Sequence, residues 1–538
     1  MSNGITRRPA SIVDHLQDAI MAFKSQDAPS TAISLRALAL NKRFTRIVIL
    51  AAVALLIILV TALHNARSDE LRLPPDIYSS TTFSLVALVP AFLKNDPPPE
   101  YYPFPTTSRF RPVSVENPSA KSRDALCATF PKHLLGSVQP VLKMGHGEDK
   151  AKIEAQLDSV SACFDKDELL IFSDLEETIH GHEVIDVLAD LPEIYYADDN
   201  PDLINYVWLK EMKANGTLDK DKEAMGKING WILDKYKFLP MVERAVKMKP
   251  DRDFYFFFET DTYVFWDNAF RFLQTFDPEV PIYMGSPSPG RVVEDKRIKT
   301  FFANGGPGFV LSRGAIRALL HRETDAAGQY TEPPLLEKWL PDLRGECCGD
   351  SVMGWSLWDI GIPLHGYWPH FNPHPAHGIP FSDLYWCQPP ITLHKTKPDD
   401  MRDLWKWEFG ERKLERPLLY ADLWRFHHPG DPSVKDNWDN GDWDGWVAPP
   451  EASIDSFDAC GDYCKSFDNC VQWSWRGGQE KKCVAMRSIR YGDKPPRSVD
   501  DPHQEIKAGW FSERVQQFRD DRRCPVVQWE KASVRRIF

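Results

Sequence analysis

Residues 253–272 read DFYFFFETDTYVFWDNAFRF, and the fold class follows from them. The aromatic run from Phe254 to Phe258 offers water no polar face, so it predicts a strand buried on both sides, inside a sheet covered by helices. Where this strand leaves the core the chain places Glu259, Thr260 and Asp261. Ionised carboxylates at the end of a buried strand are costly unless something pairs with them. A divalent cation holding a phosphate-bearing substrate suits the carboxyl end of a strand, where ligands of α/β folds collect. Alternatively, the triplet caps a helix beginning near Trp266. The stretch by itself leaves both readings open.

Working outward, residues 228–247 place Ile228, Ile232, Leu239, Val242 and Val246 at roughly helical spacing, with Lys235 and Lys237 between them. That pattern predicts one helix leading into the aromatic strand. Upstream, residues 169–173 within DELLIFSD form a short apolar run ending in Ser and Asp, the pattern of a parallel strand. Downstream, strands are expected at 282–285 and 308–311, the second feeding a helix at 313–321. Alternating strands and helices indicate an α/β fold, a mixed but mostly parallel sheet sandwiched by helices.

The 538 residues suffice for two or three domains and a substantial core. A formal charge of -12 argues against a nucleic-acid binder, which needs a basic face for phosphates. The 18 Trp suit sugar-stacking surfaces, though aromatics more often fill cores. Ten Cys fit an oxidising compartment. Residues 1–46 are polar, with Arg7, Arg8, Lys24, Arg36, Lys42, Arg43 and Arg46 against Asp14, Asp18 and Asp27. Residues 47–63, IVILAAVALLIILVTAL, carry no charge and read as an uncleaved transmembrane anchor. The basic excess before it orients 1–46 to the cytosol and the remainder to a lumen. Residues 64–122 are Pro-rich and read as a stem. A globular domain is expected over 123–398, a Trp-rich linker or extension over 399–450, and a small disulfide-rich module and tail over 451–538. Asn215-Gly216-Thr217 is a glycosylation sequon.

Three further stretches bear on chemistry. Asn304-Gly305-Gly306-Pro307-Gly308 concentrates glycines where either a tight turn or a close approach to the main chain is needed. In Glu346-Cys347-Cys348-Gly349-Asp350, the last residue is a helix cap or a general base. His394 follows a β-like ITL run, as a metal ligand at a strand end or a polar edge residue. The string His365, His370, His374 and His377 lies in a Pro- and aromatic-rich loop without helical HxxxH spacing, and reads as a structural or substrate-lining loop rather than a zinc site.

In this order, FSD at 172–174, ETDTYVF at 259–265, FANGGPGFVLSR at 302–313, Cys-Gly-Asp-Ser at 348–351 and ITLHK at 391–395 resemble glycosyltransferase family 31, in its Fringe-like and core 1 galactosyltransferase-like branch. The resemblance spans about 124–398. It implies a GT-A fold, a UDP-sugar donor, manganese, and transfer with inversion at the anomeric carbon. By position it implies that Asp261 binds the metal, that Glu259 assists metal or ribose binding, and that His394 completes the metal shell. Asp350 is the implied general base. Thr260, Gly305 and Gly306 fall in the implied donor and acceptor cleft, with Asp174 and Lys235 as nucleotide contacts. The chain departs from the family pattern at Thr260, where an acid is common; with Asp261 retained, metal binding is expected to survive. Base and electrophile together suffice for inverting transfer, whereas a glycosidase needs two carboxylates flanking a sugar bond.

Residues 453–490 resemble a PAN or Apple module, which implies the pairs Cys460–Cys483 and Cys464–Cys470 and a role in binding protein or carbohydrate. Cys127 and Cys163 are read as a further pair, and Cys387 is expected to join Cys347 or Cys348, leaving Cys524 for the other. The whole reads as a single-pass type II Golgi or endoplasmic reticulum membrane protein. Its lumenal domain is expected to move a hexose of the galactose, N-acetylglucosamine or glucose type from UDP to a glycan or glycoprotein acceptor. The competing reading is a tethered, non-catalytic glycan or protein binder on a degenerate transferase fold.

Overall fold

The aromatic run is the middle of an eight-stranded sheet. In chain order its strands are β1 (Val138–Lys143), β2 (Leu170–Ser173), β3 (Glu177–Ile179), β4 (His182–Asp186), β5 (Phe254–Glu259), β6 (Tyr283–Gly285), β7 (Phe309–Ser312) and β8 (Leu364–Gly366). Their order across the sheet is β8-β6-β7-β5-β1-β2-β4-β3. The β5–β1, β1–β2, β2–β4 and β6–β8 pairs are parallel, while β7 runs antiparallel to both β5 and β6, as β3 does to β4. The sheet is therefore mixed, with only a small parallel excess. This computed structural model describes residues 100–102 and 122–536, apart from 129, 219, 221, 294–296, 413–415, 428–432, 442–444 and 496–503. The expected cytosolic tail, anchor and most of the stem lie outside the described residues; among those described, no helix is long and apolar enough to cross a membrane.

Alternation along β5 builds a core on each face of the sheet. Phe254, Phe256 and Phe258 enter one with Trp266, and Tyr255 and Phe257 enter the other with Phe309. The Phe257 and Phe309 rings stack at 4.7 Å across the β5–β7 pair. Each such ring buried contributes about 2 kcal/mol, so this strand anchors both layers.

Residues 228–247 do not form one helix. The chain makes a short helix, Gly230–Asp234, and restarts at Phe238–Met248. Pro240 is the reason: it has no N–H to reach the Tyr236 carbonyl and its ring would strike that oxygen, but it is tolerated in a first turn. The break turns Lys237 fully into the interior.

The C-terminal part is a five-stranded antiparallel sheet of β9 (Val434–Asp436), β10 (Gly445–Val447), β11 (Gln472–Arg476), β12 (Lys482–Met486) and β13 (Ile506–Trp510), ordered β9-β13-β11-β12-β10. Its two edge strands come from the stretch read as a linker. The helix Phe457–Lys465, capped by the Ser456 hydroxyl, is pinned by Cys460–Cys483 and Cys464–Cys470. Cys127 pairs with Cys163. The remaining pairing differs from expectation: Cys347 joins its neighbour Cys348, and Cys387 joins Cys524. Adjacent Cα atoms 3.8 Å apart make the neighbour bond a local ring, which leaves Cys387, in the turn before Thr392–Leu393, to pair with Cys524. Tyr101–Tyr102, in the stretch read as stem, pairs antiparallel with Trp529–Glu530, in the stretch read as module and tail.

Candidate metal and donor site

Beyond β5 the chain turns sharply, and Thr262 holds the turn. Its amide donates to the Glu259 carbonyl at 3.0 Å, and its hydroxyl accepts from the Glu259 amide at 3.3 Å. The same hydroxyl donates to the Gly306 carbonyl at 2.6 Å. Tyr263–Val264 then pairs antiparallel with Thr392–Leu393, and this two-residue ladder delivers His394 to Asp261. The His394 Nε2 lies 3.3 Å from Asp261 Oδ1. Glu259, Asp261 and His394 each present one ligand atom, all within 4.8 Å of one another, and form the one such His/Cys/Asp/Glu cluster among the described residues. The triplet does not cap the helix Trp266–Leu273, whose N-cap is Phe265 without a side-chain bond.

The glycine turn joins this cluster to Asp350. A Cβ on Gly306 would lie 2.1 Å from Cε1 and 2.3 Å from Nε2 of His394, so only glycine leaves room for that ring. The neighbouring Gly305 amide donates to Asp350 Oδ2 at 2.8 Å, and Ser351 N–H donates to Oδ1 at 2.8 Å. Asp350 stands in the first turn of the helix Gly349–Asp359. Each of its oxygens keeps capacity for one more hydrogen bond.

The electrostatics separate the two acids. Burial would raise the Asp261 carboxyl, but the hydrogen bond and charge of His394 and the Lys152 ammonium overcome it and hold the group at about 2. Burial, aided by the Glu259 charge, pushes Asp350 up to about 6 against the Gly305 amide. One acid is a permanent anion and the other a proton acceptor poised near neutrality.

Behind the cluster lies a buried charge network that the sequence did not disclose. Lys143, in register with Glu259 on β1, reaches Glu259 Oε1 at 3.2 Å and Asp234 Oδ2 at 2.8 Å. Lys237 binds Asp234 at 2.8 Å, Asp174 at 2.9 Å and the Met144 carbonyl at 3.0 Å. Burial alone would depress the Lys143 ammonium, but Asp234 and Glu259 drive it well above its usual range. Asp174 is held below the usual carboxylate range by Lys237 despite its burial. Its other oxygen accepts the His146 amide at 2.8 Å.

Two expected donor contacts are placed elsewhere. The Lys235 ammonium is taken up by Asp202 at 2.7 Å and the Glu346 carbonyl at 3.1 Å, and Lys237, two residues on, faces the network instead. Thr260 is 2% exposed and its hydroxyl donates to Glu148, away from the cluster. Of the histidine string, His370 is fully buried, with Nδ1 2.6 Å from the Pro389 carbonyl and Nε2 accepting the Glu530 amide at 2.8 Å. Asn215 is exposed at the end of the helix Pro201–Ala214.

Two carboxylates and an imidazole at the end of a central strand, with a raised acid across a glycine turn, define a site suited to metal-assisted group transfer on an α/β scaffold. A family model described as Fringe-like matches residues 236–333 and supports a glycosyltransferase of the Fringe type. The matched segment carries Glu259, Asp261, Gly305 and Gly306; Asp350 and His394 lie beyond it. No curated protein matches the chain.

Proposed function

We propose that the protein is an inverting, metal-dependent glycosyltransferase that moves a hexose of the galactose, N-acetylglucosamine or glucose type from a UDP-sugar to a glycan or glycoprotein acceptor. The observation that carries this reading is the Gly305-Gly306 turn, which holds Asp350 by one residue and admits His394 by the next. Two carboxylate oxygens and an imidazole nitrogen form a hard-to-borderline donor set that fits manganese. Held by Asp261 and His394 with Glu259, manganese would supply the positive charge that neutralises the departing diphosphate.

The protein's own groups do the rest. Asp350 accepts the proton of the acceptor hydroxyl as that oxygen bonds to the anomeric carbon and the bond from this carbon to the diphosphate oxygen breaks. The Gly305 and Ser351 amides fix its carboxylate plane. Lys143 is 5% exposed at its side chain, and fixes Glu259 from behind. Gly305 and Gly306 line the donor side, and Asp174, buried behind it and held by Lys237, supports it from within.

The uncharged stretch 47–63 supports a single-pass type II anchor in a Golgi or endoplasmic reticulum membrane. The pairing of every cysteine supports a lumenal catalytic part. The helix-and-sheet module at the C-terminus, with its two disulfides, is proposed as a PAN- or Apple-like unit that binds protein or carbohydrate.

The test is a panel of UDP-sugars offered to the full chain with and without manganese. Transfer or hydrolysis is expected with at least one donor, only with the metal, and Asp261→Ala should abolish it while leaving the melting temperature near the parent's. Undiminished turnover by that variant would refute the metal assignment, and absence of any metal-dependent UDP binding would favour a tethered binder.

A further inference from the structure

Both oxygens of Asp261 already have partners. His394 takes Oδ1, and the Lys152 ammonium lies 3.3 Å from Oδ2. A cation entering the cluster therefore meets an ammonium already paired with Asp261. The two lysines at the triplet differ in freedom: the Lys143 side chain is 5% exposed and braced by both Asp234 and Glu259, whereas that of Lys152 is 40% exposed and holds Asp261 alone. Lys152 projects from the first turn of the helix Lys150–Asp158, which is itself fixed by the Asp149 cap, so the side chain can swing while its root stays put.

We propose that Lys152 is a further donor-binding residue that exchanges partners: it neutralises Asp261 before loading and pairs with the diphosphate of the nucleotide afterwards. This rests on the reading of the cluster as a metal and nucleotide site. At the triplet, Glu259 shares Lys143 with Asp234, while Asp261 has Lys152. A divalent ion brings its own positive charge to Asp261, and Lys152 is the one of the two ammoniums with room to leave for the diphosphate. A flexible four-carbon stem with a compact charge suits such an exchange.

The experiment titrates the full-length protein with manganese alone, then with UDP in the presence of manganese, then with uridine, using calorimetry on the parent, Lys152→Met and Lys152→Arg. With its competitor gone, Lys152→Met should bind manganese alone about two- to fivefold more tightly, the fold-change of a partly exposed ion pair. It should bind UDP with manganese more weakly by a similar factor, with uridine affinity unchanged, and Lys152→Arg should restore most of the UDP affinity. Opposite shifts for metal and UDP support the exchange. Unchanged or weaker manganese binding in Lys152→Met, or a loss shared equally by UDP and uridine, overturns it while leaving the site reading intact. A parent protein that binds neither manganese nor UDP overturns both.

Discussion

Gly306→Ala places a methyl group where the His394 ring now sits. The added carbon would lie 2.1, 2.3 and 2.6 Å from three ring atoms, and the imidazole must turn away because real contacts of this kind fall no closer than about 3 Å. Overpacking of this sort costs about 1–3 kcal/mol in stability. The displaced ring also leaves Asp261, so the larger effect is expected on manganese affinity, about tenfold or more, the scale seen when a ligand loses its fixed orientation. A double-mutant cycle isolates the cause. His394→Ala removes the ligand and also empties the space, so adding Gly306→Ala to it should cost little further in either metal affinity or melting temperature. Calorimetric manganese titration and thermal unfolding of the four proteins give both readings. If the two substitutions add independently, or if Gly306→Ala binds manganese like the parent, the glycine does not serve the histidine and the reasoning fails.

Two other outcomes follow from the same geometry. Asp350 is raised from its ordinary value to about 6, so its basic form prevails above that pH. The rate should fall as pH drops through about 6 in a pH profile, and Asp350→Asn should lower it by about 100-fold or more at pH 7.5 and remove that limb. Because the folded carboxyl binds its proton more tightly than the unfolded one, ionising it costs stability between roughly pH 4 and 6, and Asp350→Asn should unfold no earlier than the parent at neutral pH. Lys143→Met leaves Glu259 without its ammonium and Asp234 with only Lys237. Urea unfolding should show a loss of about 3 kcal/mol, the lower end for a buried pair broken on one side, and a loss under about 0.5 kcal/mol would show that the network does not depend on it.

What the sequence disclosed and what it concealed divide along one physical line. Residues 254–258 announce a strand because five consecutive aromatics have no other place in an α/β protein, and the acidic triplet, glycine turn, Asp350 and His394 each break a local pattern conspicuously. Lys143 breaks one too, but inside a stretch that does not look like a strand at all. Val138–Lys143 contains Pro140, a residue that argues against a central strand. Its neighbour β2 begins to pair only at Val141, so the proline falls outside that ladder, and the strand runs on to place a lysine beside Glu259. Hydrophobic spacing likewise marks 228–247 as helical without saying where the helix restarts, and that restart decides that Lys237, not Lys235, faces Asp174. Partners brought together by topology, such as Cys387 and Cys524, leave no trace in local spacing.

The threonine in the middle of the acidic triplet fits this arrangement better than an acid would. Glu259 and Asp261 face His394, while position 260 between them turns to the other side and meets Glu148. Burial already pushes the Glu148 carboxyl up, and its other oxygen accepts the Gly145 amide at 2.8 Å. A carboxylate at 260 would set two like charges together where little water reaches, a cost that neither group could relieve without taking up a proton. A hydroxyl instead donates to Glu148, and so ties the triplet to the loop that follows β1. A threonine at this position therefore leaves the Glu259, Asp261 and His394 cluster untouched, because the side chain at 260 faces Glu148 instead.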